Sequence, residues 1–522
     1  MVEVLDARSV RSSLKDPIHD YIEVSPLLCT IIDTPQFQRL RHIKQLGTSY
    51  RVWAGVSHNR FEHCLGVAHL ARQMVQHLHD EQRWLGITDR DMYCRLLGCA
   101  MILDMGRGVT YGTRFLYPPW RAPGKKWKHE DASQMMFRYL LKDNHIEHFC
   151  EKDIQFILTL IDGDRNLCSS DEKPFLFDIV ANKRNGLDVD KFDYILRDSY
   201  MMGEPSKISL RRLIKSARVI DDEICYTIKD VNQLHEMCYT RFKYHKMIYN
   251  HKTAKAIEYM IVLVDALVLA EPYMKIAEQI EIPEKYLHLT DSIEERIKAS
   301  TAPELEESRR LFRLDTRDLY KFVDQRVIEW GQDAVFREHI TSERVVQEAK
   351  AVAAKEGTDI DMSLLTADSV IVDFTTMHYG MKEKNPLDFV KFYSKHNPNE
   401  CACAQKNDYS MLIPAVFAEV YLTVFTKHPQ YLGLVQAGYR ALLTRVPEPD
   451  SPATPEPPST PTRDTSSGTP KRKGLGRTGS ISENSFTTVP IDFGTPSKTK
   501  KRGRDVGEEG HGEGQREAKR RA

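Results

Sequence analysis

Three charged side chains lie within or beside apolar helical runs of this 522-residue chain. His63 lies in the run RFEH, Asp104 ends the run MILD, and Asp190 lies in GLDVDK. A charge near an apolar core must be paired or must bind something. One imidazole and two carboxylates gathered from three helices suit a divalent metal ion. The same residues also fit a helix cap, a buried histidine and an ordinary ion pair.

A second set of polar residues recurs at helical spacing. Four of them fall near one face of a helix, and three more repeat at intervals of four: Asp190, Lys191, Tyr194 and Asp198, then Arg241, His245 and Tyr249. Two helices that present cations and tyrosines together suit a phosphorylated ligand with a flat base or a sugar. A solvated basic face is the alternative interpretation.

Apolar periodicity predicts the elements that position these residues. One stripe predicts a core helix through Phe61, Leu65, Ala68, Ala71, Val75 and Leu78. A second core helix is predicted over 91–105, and a long helical region over 231–277 that bends near Pro272. Short β-rich runs at 370–374 and 421–425 predict strands. The expected fold class is therefore mainly α, with a smaller α+β lobe toward the C-terminal side.

Composition excludes several classes of protein. The chain has 74 basic and 74 acidic residues, so bulk electrostatics do not favour a coat on nucleic acid or on an anionic membrane. The most apolar run, 260–270, contains Asp265 and is shorter than the roughly 20 residues that cross a bilayer. Because the ten cysteines are scattered and no secretory signal is apparent, we expect reduced thiols inside the cell and no membrane contact.

The C-terminal end of the sequence differs in composition from the rest. From residue 446 Pro, Ser, Thr, Gly and charged residues dominate, which predicts a disordered tail. Basic clusters at 469–473, 498–504 and 519–521 predict nuclear import, with some protein in the cytoplasm, or contact with single-stranded nucleic acid. Ser-Pro and Thr-Pro pairs there suit proline-directed kinases. The alternative is a tail that only solvates the chain.

Longer motifs are more specific. HNRFEH (58–63), DTPQFQRLR (33–41), KWKHE (126–130), NKRNGLDVDKFDY (182–194) and YGMKEKNP (379–386) closely resemble the vertebrate SAM-and-HD-domain deoxynucleoside triphosphate triphosphohydrolases. The resemblance implies a helical HD-domain core that hydrolyses a deoxynucleoside triphosphate to deoxynucleoside and triphosphate. It also implies a tetramer assembled by nucleotides at allosteric sites. It begins near residue 16, so we expect the chain to lack the family's SAM domain.

The same resemblance suggests a division of the chain. We expect an N-terminal arm (1–15), an HD-domain core (16–280), a C-terminal α+β lobe (281–445) and a disordered basic tail rich in Ser, Thr and Pro (446–522).

The family's metal ligands are a His, a His-Asp pair and a final Asp. Carried over, they fall on His63, Asp104 and Asp190, but the His of the pair is Leu103. Leucine has no lone pair to donate, so we expect weakened binding of the divalent ion, whether iron, zinc, manganese or magnesium. Three-ligand catalytic metal sites do exist, so catalysis with the remaining three is the alternative.

The family's proton-transfer residues are also changed. Its turn GHGPFSH is here GRGVTYG (106–112), and no His or Asp occurs between Gly108 and Trp120. Arg107 stands where the family has a histidine, and arginine cannot act as an acid near neutral pH. The remaining candidate catalytic residue is His129.

The residues that the family uses to bind nucleotides are better kept. The substrate contacts, for a deoxynucleoside triphosphate with its magnesium, fall on Gln45, Leu46, Arg60, Lys191, Tyr194, Asp198, Arg241, His245 and Tyr249. The allosteric contacts, for GTP or dGTP, fall on Asp33, Gln38, Arg41, Arg218, His251 and Lys252. Thr227 replaces an allosteric arginine, and Glu400 lies in a strand that is basic in the family. An acid there repels an activator triphosphate.

Three functions follow from these observations. The first is a nucleotide-binding homologue with weak or no catalysis, a homo-oligomer or a regulator that forms a hetero-oligomer with an active relative. The second is an active triphosphohydrolase with a three-ligand metal. The third is a nucleic-acid-binding or regulatory interaction protein.

Overall fold

The computed structural model describes residues 12–92, 104, 128–167, 169–263 and 266–447. Most of the helix predicted over 91–105 lies outside these residues, as do Leu103 and Arg107. The predictions for the N-terminal arm before residue 12 and for the tail from residue 448 lie outside them as well.

The first half of the chain is mainly helical. Its helices are α1 (Pro26–Ile32), α2 (Pro35–Gln38), α3 (Arg60–Glu81), α4 (His129–Asp143), α5 (Glu151–Asp162), α6 (Phe177–Val180), α7 (Val189–Met201), α8 (Leu210–Ser216), α9 (Val231–Tyr244), α10 (Lys252–Glu258) and α11 (Ala266–Met274). Short 3-10 helices include Arg39–His42 and Gly47–Arg51, and π-helical turns run over His245–Tyr249 and Tyr259–Leu263.

Most helices of the second half have seven residues or fewer. In chain order the helices are α12 (Ile276–Gln279), α13 (Pro283–Tyr286), α14 (Ile293–Ala299), α15 (Glu306–Leu311), α16 (Asp333–His339), α17 (Ser342–Glu356), α18 (Lys406–Tyr409) and α19 (Leu432–Leu443). Among them only α17 and α19, both in the lobe, are longer than seven residues. No helix in the described part of the chain combines the length and apolarity needed to cross a membrane.

Three small sheets accompany the helices. A hairpin pairs β1 (Ser12–Asp16) with β2 (Asp20–Val24). The second sheet has the order β3 (Arg218–Ile220), β4 (Glu223–Thr227), β7 (Lys391–Tyr393) and β8 (Cys401–Cys403), with β4 and β7 parallel. In the third sheet β9 (Ala418–Thr426) lies between β5 (Lys321–Glu329) and β6 (Val370–His378), antiparallel to both. The register pairs Phe374 with Leu422.

The buried apolar residues form two clusters. The larger one unites the helices of the first half and includes Ile31, Phe37 and Leu40, all fully buried. The smaller one lies between the β5-β9-β6 sheet and helices α17 and α19. These two helices approach closely because Gly438 has no side chain: a Cβ there would lie 2.6 Å from the backbone nitrogen of Ala349. The mainly α fold with a smaller α+β lobe is thus confirmed.

The predicted elements differ from the observed ones mainly in the long helical region. The helix through Phe61 is confirmed as α3, and both predicted strands are present but are longer. The predicted helical region over 231–277 is divided, because Asn250 and His251 leave helical geometry between the first π-helical turn and α10. His251 caps the new helix by accepting from the backbone N–H of Thr253. Pro272 lies inside α11, which ends two residues later.

Candidate nucleotide site

One cavity gathers the predicted substrate-binding residues. Its volume is about 440 Å³. All nine of them line it, together with Asp190: Gln45, Leu46, Arg60, Lys191, Tyr194, Asp198, Arg241, His245 and Tyr249. They come from the segment before α3, from α3, from α7 and from α9 with the π-helical turn that follows it. The residues of α7 and α9 therefore line a cavity and do not form a solvated face.

Local capping fixes where the site helices begin. Asn59 caps α3, and the Glu62 side chain accepts from the Asn59 backbone N–H at 2.7 Å, which forms a capping box. Asp188 caps α7 by accepting from the backbone N–H of Lys191 at 3.2 Å. These caps place Arg60 and His63 in the first turn of one helix, and Asp190 and Lys191 in the first turn of the other.

A π-helical turn carries two of the cavity residues. The turn His245–Tyr249 directly follows α9, and such turns are frequent at functional sites. It brings the rings of His245 and Tyr249 to a centroid distance of 5.0 Å with their planes nearly perpendicular. Burial, followed by the charge of Arg241, lowers the pKa of His245 to about 3. The imidazole in the cavity is therefore neutral at physiological pH.

Three cations face the cavity from three helices. Burial opposes the charge of Lys191, but Asp188 and Asp190 outweigh it and raise the pKa of the ammonium. Arg241 donates through Nη1 to the carbonyl oxygen of His378, the last residue of β6, at 2.6 Å. Arg60 is the third cation. The Nε atoms of Arg60 and Arg241 are buried without a hydrogen-bond partner among the described residues, as is Oε1 of Gln45.

Asp198 is fully occupied by its neighbours. Its Oδ1 lies 2.8 Å from Nε2 of His58, and its Oδ2 accepts from the Tyr249 hydroxyl at 2.6 Å. Burial and then the charge of Asp198 raise the pKa of Tyr249 well above its ordinary value. The phenol therefore stays a neutral donor, and its ring is held at the cavity wall.

The three predicted metal ligands lie close together next to the cavity. Nε2 of His63 is 3.1 Å from Oδ1 of Asp190 and 3.7 Å from Oδ2 of Asp104. Burial opposes protonation of His63, but hydrogen bonds with Asp190 and Asp193 and the charge of Asp104 raise its pKa to about 10. In this arrangement an imidazolium lies between carboxylates.

The donor set does not fit a tightly held divalent ion. Oδ2 of Asp104 accepts from Nη1 of Arg60 at 2.6 Å, so a guanidinium occupies one side of the carboxylate. Leu103 offers no donor atom. Over residues 12–92, 104, 128–167, 169–263 and 266–447, no group of three His, Cys, Asp or Glu residues is spaced to hold a metal ion. Metal binding by His63, Asp104 and Asp190 stays a prediction from the resemblance.

A buried ionic network lies behind His63. Its Nδ1 is 2.7 Å from Oδ2 of Asp193, and the same carboxylate accepts from Nε and Nη2 of Arg197 at 2.8 and 2.9 Å. Arg197 also donates to Asp16 at 2.8 Å, and Nε2 of His19 lies 2.6 Å from Asp193. The network therefore ties the turn of the β1–β2 hairpin to the imidazole.

The network is possible only because α3 carries a glycine. A Cβ built on Gly66 would overlap Oδ1 of Asp193 and would lie 2.7 Å from its Cγ. The absence of a side chain lets α7 place its ion pair directly against α3. Gly66 is thus a packing requirement of the site and not a flexible point.

His129 and the allosteric residues lie elsewhere. His129 begins α4, is half-buried, and has Nδ1 3.2 Å from Glu130; it is not among the residues that line the cavity. The predicted allosteric residues belong to three separate stretches of the chain. Asp33, Gln38 and Arg41 are near α1 and α2, Arg218 is in β3, and His251 and Lys252 are at the start of α10.

Sequence reasoning missed several residues. Asp193 forms a hydrogen bond with His63, and His58 forms one with Asp198. The cavity is also lined by Gly47, Thr48, Ser49 and Glu258. The signal for Asp193 was present, because it lies four residues before Arg197 on a helix that is otherwise apolar on that face. No pattern pointed to Glu258, which comes from a helix whose start the sequence did not predict.

Comparison with known proteins gives the family. No family model matches the chain. The chain is 35% identical over 447 residues to a deoxynucleoside triphosphate triphosphohydrolase SAMHD1 homolog of Dictyostelium discoideum, covering 84% of this chain and 82% of that protein. It is 39% identical to the SAMHD1 proteins of Gallus gallus and Homo sapiens, each time covering 79% of this chain and 71% or 70% of the relative. The resemblance seen in the motifs is thus confirmed, and the chain belongs to the SAMHD1 family of HD-domain deoxynucleoside triphosphate triphosphohydrolases.

Proposed function

We propose that this protein binds deoxynucleoside triphosphates in the cavity and has weak or no triphosphohydrolase activity. The observation that carries the proposal is the convergence of all nine predicted substrate-binding residues on one cavity of about 440 Å³. A volume of this order suits a ligand of nucleotide size.

The polar atoms of the cavity support a ligand rich in acceptors. Arg60, Lys191 and Arg241 supply positive charge from three helices. The Nε atoms of both arginines lack hydrogen-bond partners among the described residues. A buried donor without a partner is costly, and guanidinium groups bind phosphate oxygens through pairs of N–H groups. The neutral His245 and the Tyr249 hydroxyl add no negative charge that would repel a triphosphate.

The arrangement around Asp104 supports weak catalysis. The family reaction breaks the bond between the 5′-oxygen and the α-phosphorus, so it needs an activated water and a proton for the leaving oxygen. When bound in the family, the divalent ion supplies Lewis acidity. Here Arg60 holds Asp104, Leu103 gives no ligand, and Arg107 cannot donate a proton. His129 is the remaining candidate acid that the resemblance implies, and it does not line the cavity.

Partners and location stay predictions. A hetero-oligomer with an active relative would give a weakly catalytic homologue a regulatory role, and the basic tail favours the nucleus. The tail from residue 448 lies outside the described residues, so these proposals rest on sequence alone.

Two measurements on the purified full chain test the proposal. We expect millimolar dGTP with Mg²⁺ to raise the Tm, because a ligand that binds only the folded state stabilises it by about 2.7 kcal/mol at 100 times its Kd. We expect little or no triphosphate release from any of the four deoxynucleoside triphosphates with Mg²⁺ or Mn²⁺. Rapid release would instead support the three-ligand enzyme, and the absence of any Tm shift would support the interaction protein.

A further inference from the structure

We infer that Glu258 reads the base of the bound nucleotide and favours guanine. This inference rests on the proposed function, because it assumes that a deoxynucleoside triphosphate occupies the cavity. Glu258 is the last residue of α10 and lines the cavity beside the 3-10 helix Gly47–Arg51.

Glu258 is one of two carboxylates in the described cavity lining with an oxygen that has no hydrogen-bond partner among the described residues; the other, Asp190, belongs to the predicted metal ligands. The lining contains three carboxylates. Asp190 is held by His63, and both oxygens of Asp198 are taken by His58 and Tyr249. Oε2 of Glu258 lies 3.2 Å from Nζ of Lys255, whereas its Oε1 accepts no hydrogen bond from the described residues. The Glu258 side chain is 26% exposed. It is therefore placed to accept from a ligand.

Glu258 lies on a different helix from the three cations of the cavity. The three cations of the cavity belong to α3, α7 and α9. Glu258 belongs to α10, which is tied to the 3-10 helix by the Thr48 hydroxyl donating to the carbonyl oxygen of Ala254 at 3.1 Å. A carboxylate repels a triphosphate, so a nucleotide with its phosphates on the cations turns its base or sugar toward this wall.

The chemistry of the bases then sets the preference. Guanine presents N1–H and the N2 amino group side by side, which match the two oxygens of a carboxylate. Adenine and cytosine present one amino group each, whereas thymine presents N3–H between two carbonyl oxygens, which repel a carboxylate. Because a carboxylate accepts and cannot donate, we expect the affinity order to be dGTP first, dATP and dCTP next, and dTTP last.

Binding constants for a panel of nucleotides test this inference. The full chain is titrated with dGTP, dITP, dATP, dCTP and dTTP in Mg²⁺, as wild type and as Glu258→Gln and Glu258→Ala. We expect wild type to bind dGTP about tenfold or more tightly than dTTP, since a matched bidentate contact discriminates by roughly that factor or more. We expect dITP, which lacks the 2-amino group, to bind with intermediate affinity. In both variants the ratio should fall below about threefold.

The matched control is Glu278→Gln. Glu278 also lies three residues after its lysine partner, Lys275, but it is outside the cavity and its side chain is 58% exposed. Its substitution should leave the ratio unchanged. Equal affinity of wild type for all the nucleotides, or a dGTP preference kept in Glu258→Gln and Glu258→Ala, overturns the inference and leaves nucleotide binding intact. Failure of wild type to bind any nucleotide overturns the proposed function as well.

Discussion

Two neighbouring regions of the site differ in how their charges are compensated. We define the metal corner as His63, Asp104 and Asp190. We define the cationic wall of the cavity as Arg60, Lys191 and Arg241. The charges of the metal corner are compensated within the protein, with His63 beside Asp190 and with Asp104 on Arg60. The cationic wall keeps buried donors without partners among the described residues. The charges of the metal corner thus have partners within the protein, whereas in the cationic wall Lys191 pairs with Asp188 and the Nε atoms of Arg60 and Arg241 have no partner among the described residues.

If the cavity binds a triphosphate as proposed, recognition and catalysis depend on different residues of one pocket. Binding a triphosphate needs several cations at loosely defined positions, and the loss of one contact lowers affinity by a limited factor. Catalysis needs a particular ligand set and a positioned acid, so one leucine in place of histidine has a larger effect on turnover than on binding. Three substitutions and one change of pH test whether binding and catalysis depend on different residues of the pocket.

The largest expected effect is that of Gly66→Ala. The new methyl group would displace the Asp193–Arg197 ion pair behind the metal corner, and breaking a buried pair costs about 3–5 kcal/mol. We expect the Tm in a thermal melt to fall by about 3–5 °C. The control is Gly433→Ala in α19, where nothing lies within 4 Å of an added Cβ, and which should leave the Tm unchanged or slightly higher. Equal Tm values for the two variants would contradict the packing described here.

Arg241→Gln tests the cationic wall. A hydrogen bond to a charged group contributes about 1.5–3 kcal/mol, so the affinity for dGTP should fall about 10- to 100-fold while the fold is retained. The measurement is a calorimetric titration. Lys243→Gln on the same helix is the control, because Lys243 lies 3.5 Å from Glu204 and does not line the cavity. If both variants bind dGTP like wild type, the wall does not hold the phosphates.

Leu103→His tests the metal corner. Restoring the family ligand should raise the affinity for Mn²⁺ or Fe²⁺ roughly tenfold or more, as measured by metal content after dialysis, since even an indirect ligand contact is worth that factor. Turnover should improve less, because Arg107 remains in place of the acid. Leu103→Met, which adds only a soft thioether, is the control. Full activity from Leu103→His alone would show that the missing acid matters little.

The smallest expected effect concerns pH. Burial, with the charge of Arg241 next, lowers the pKa of His245 to about 3 and that of His378 to about 4, against an ordinary value of 6.5. Below pH 6.5 these two histidines bind protons in the unfolded chain but stay neutral in the folded chain. The free energy of unfolding therefore falls as the pH is lowered. His245→Gln should remove on the order of 1 kcal/mol of the loss between pH 7 and 5. Urea unfolding at both pH values measures it, and an unchanged loss would contradict the buried neutral imidazole.

Apolar periodicity predicted a helix well where one apolar stripe runs along its whole length, and β-rich runs predicted the strands. The stripe of α3 is regular over the whole helix, and the two predicted strands have partners of similar composition. The break at Asn250 was not predictable in the same way. Apolar residues continue through it, and the interruption comes from a π-helical turn and a histidine cap, whose signals are local hydrogen bonds and not periodicity.

The site was predictable from motifs for the residues that face the ligand and not for those behind them. Lys191, Tyr194 and Asp198 are spaced three and four residues apart, which indicates one face of a helix. The roles of Asp193 and His58 depend on which helix packs against which, and that depends in turn on Gly66. Such contacts join residues over 100 positions apart, so neighbouring sequence does not encode them.

The hydrogen bond from Arg241 to the carbonyl oxygen of His378 has a consequence for how this chain can be cut. The acceptor belongs to β6, which is held by pairing with β9 some 40 residues further on. A fragment that ends after the helical core would retain every cavity residue. It would still lose the carbonyl group of His378, which orients the Arg241 side chain by accepting its hydrogen bond. Minimal expression fragments should therefore extend through Leu443, because α19 covers the core of the lobe that contains β6 and β9.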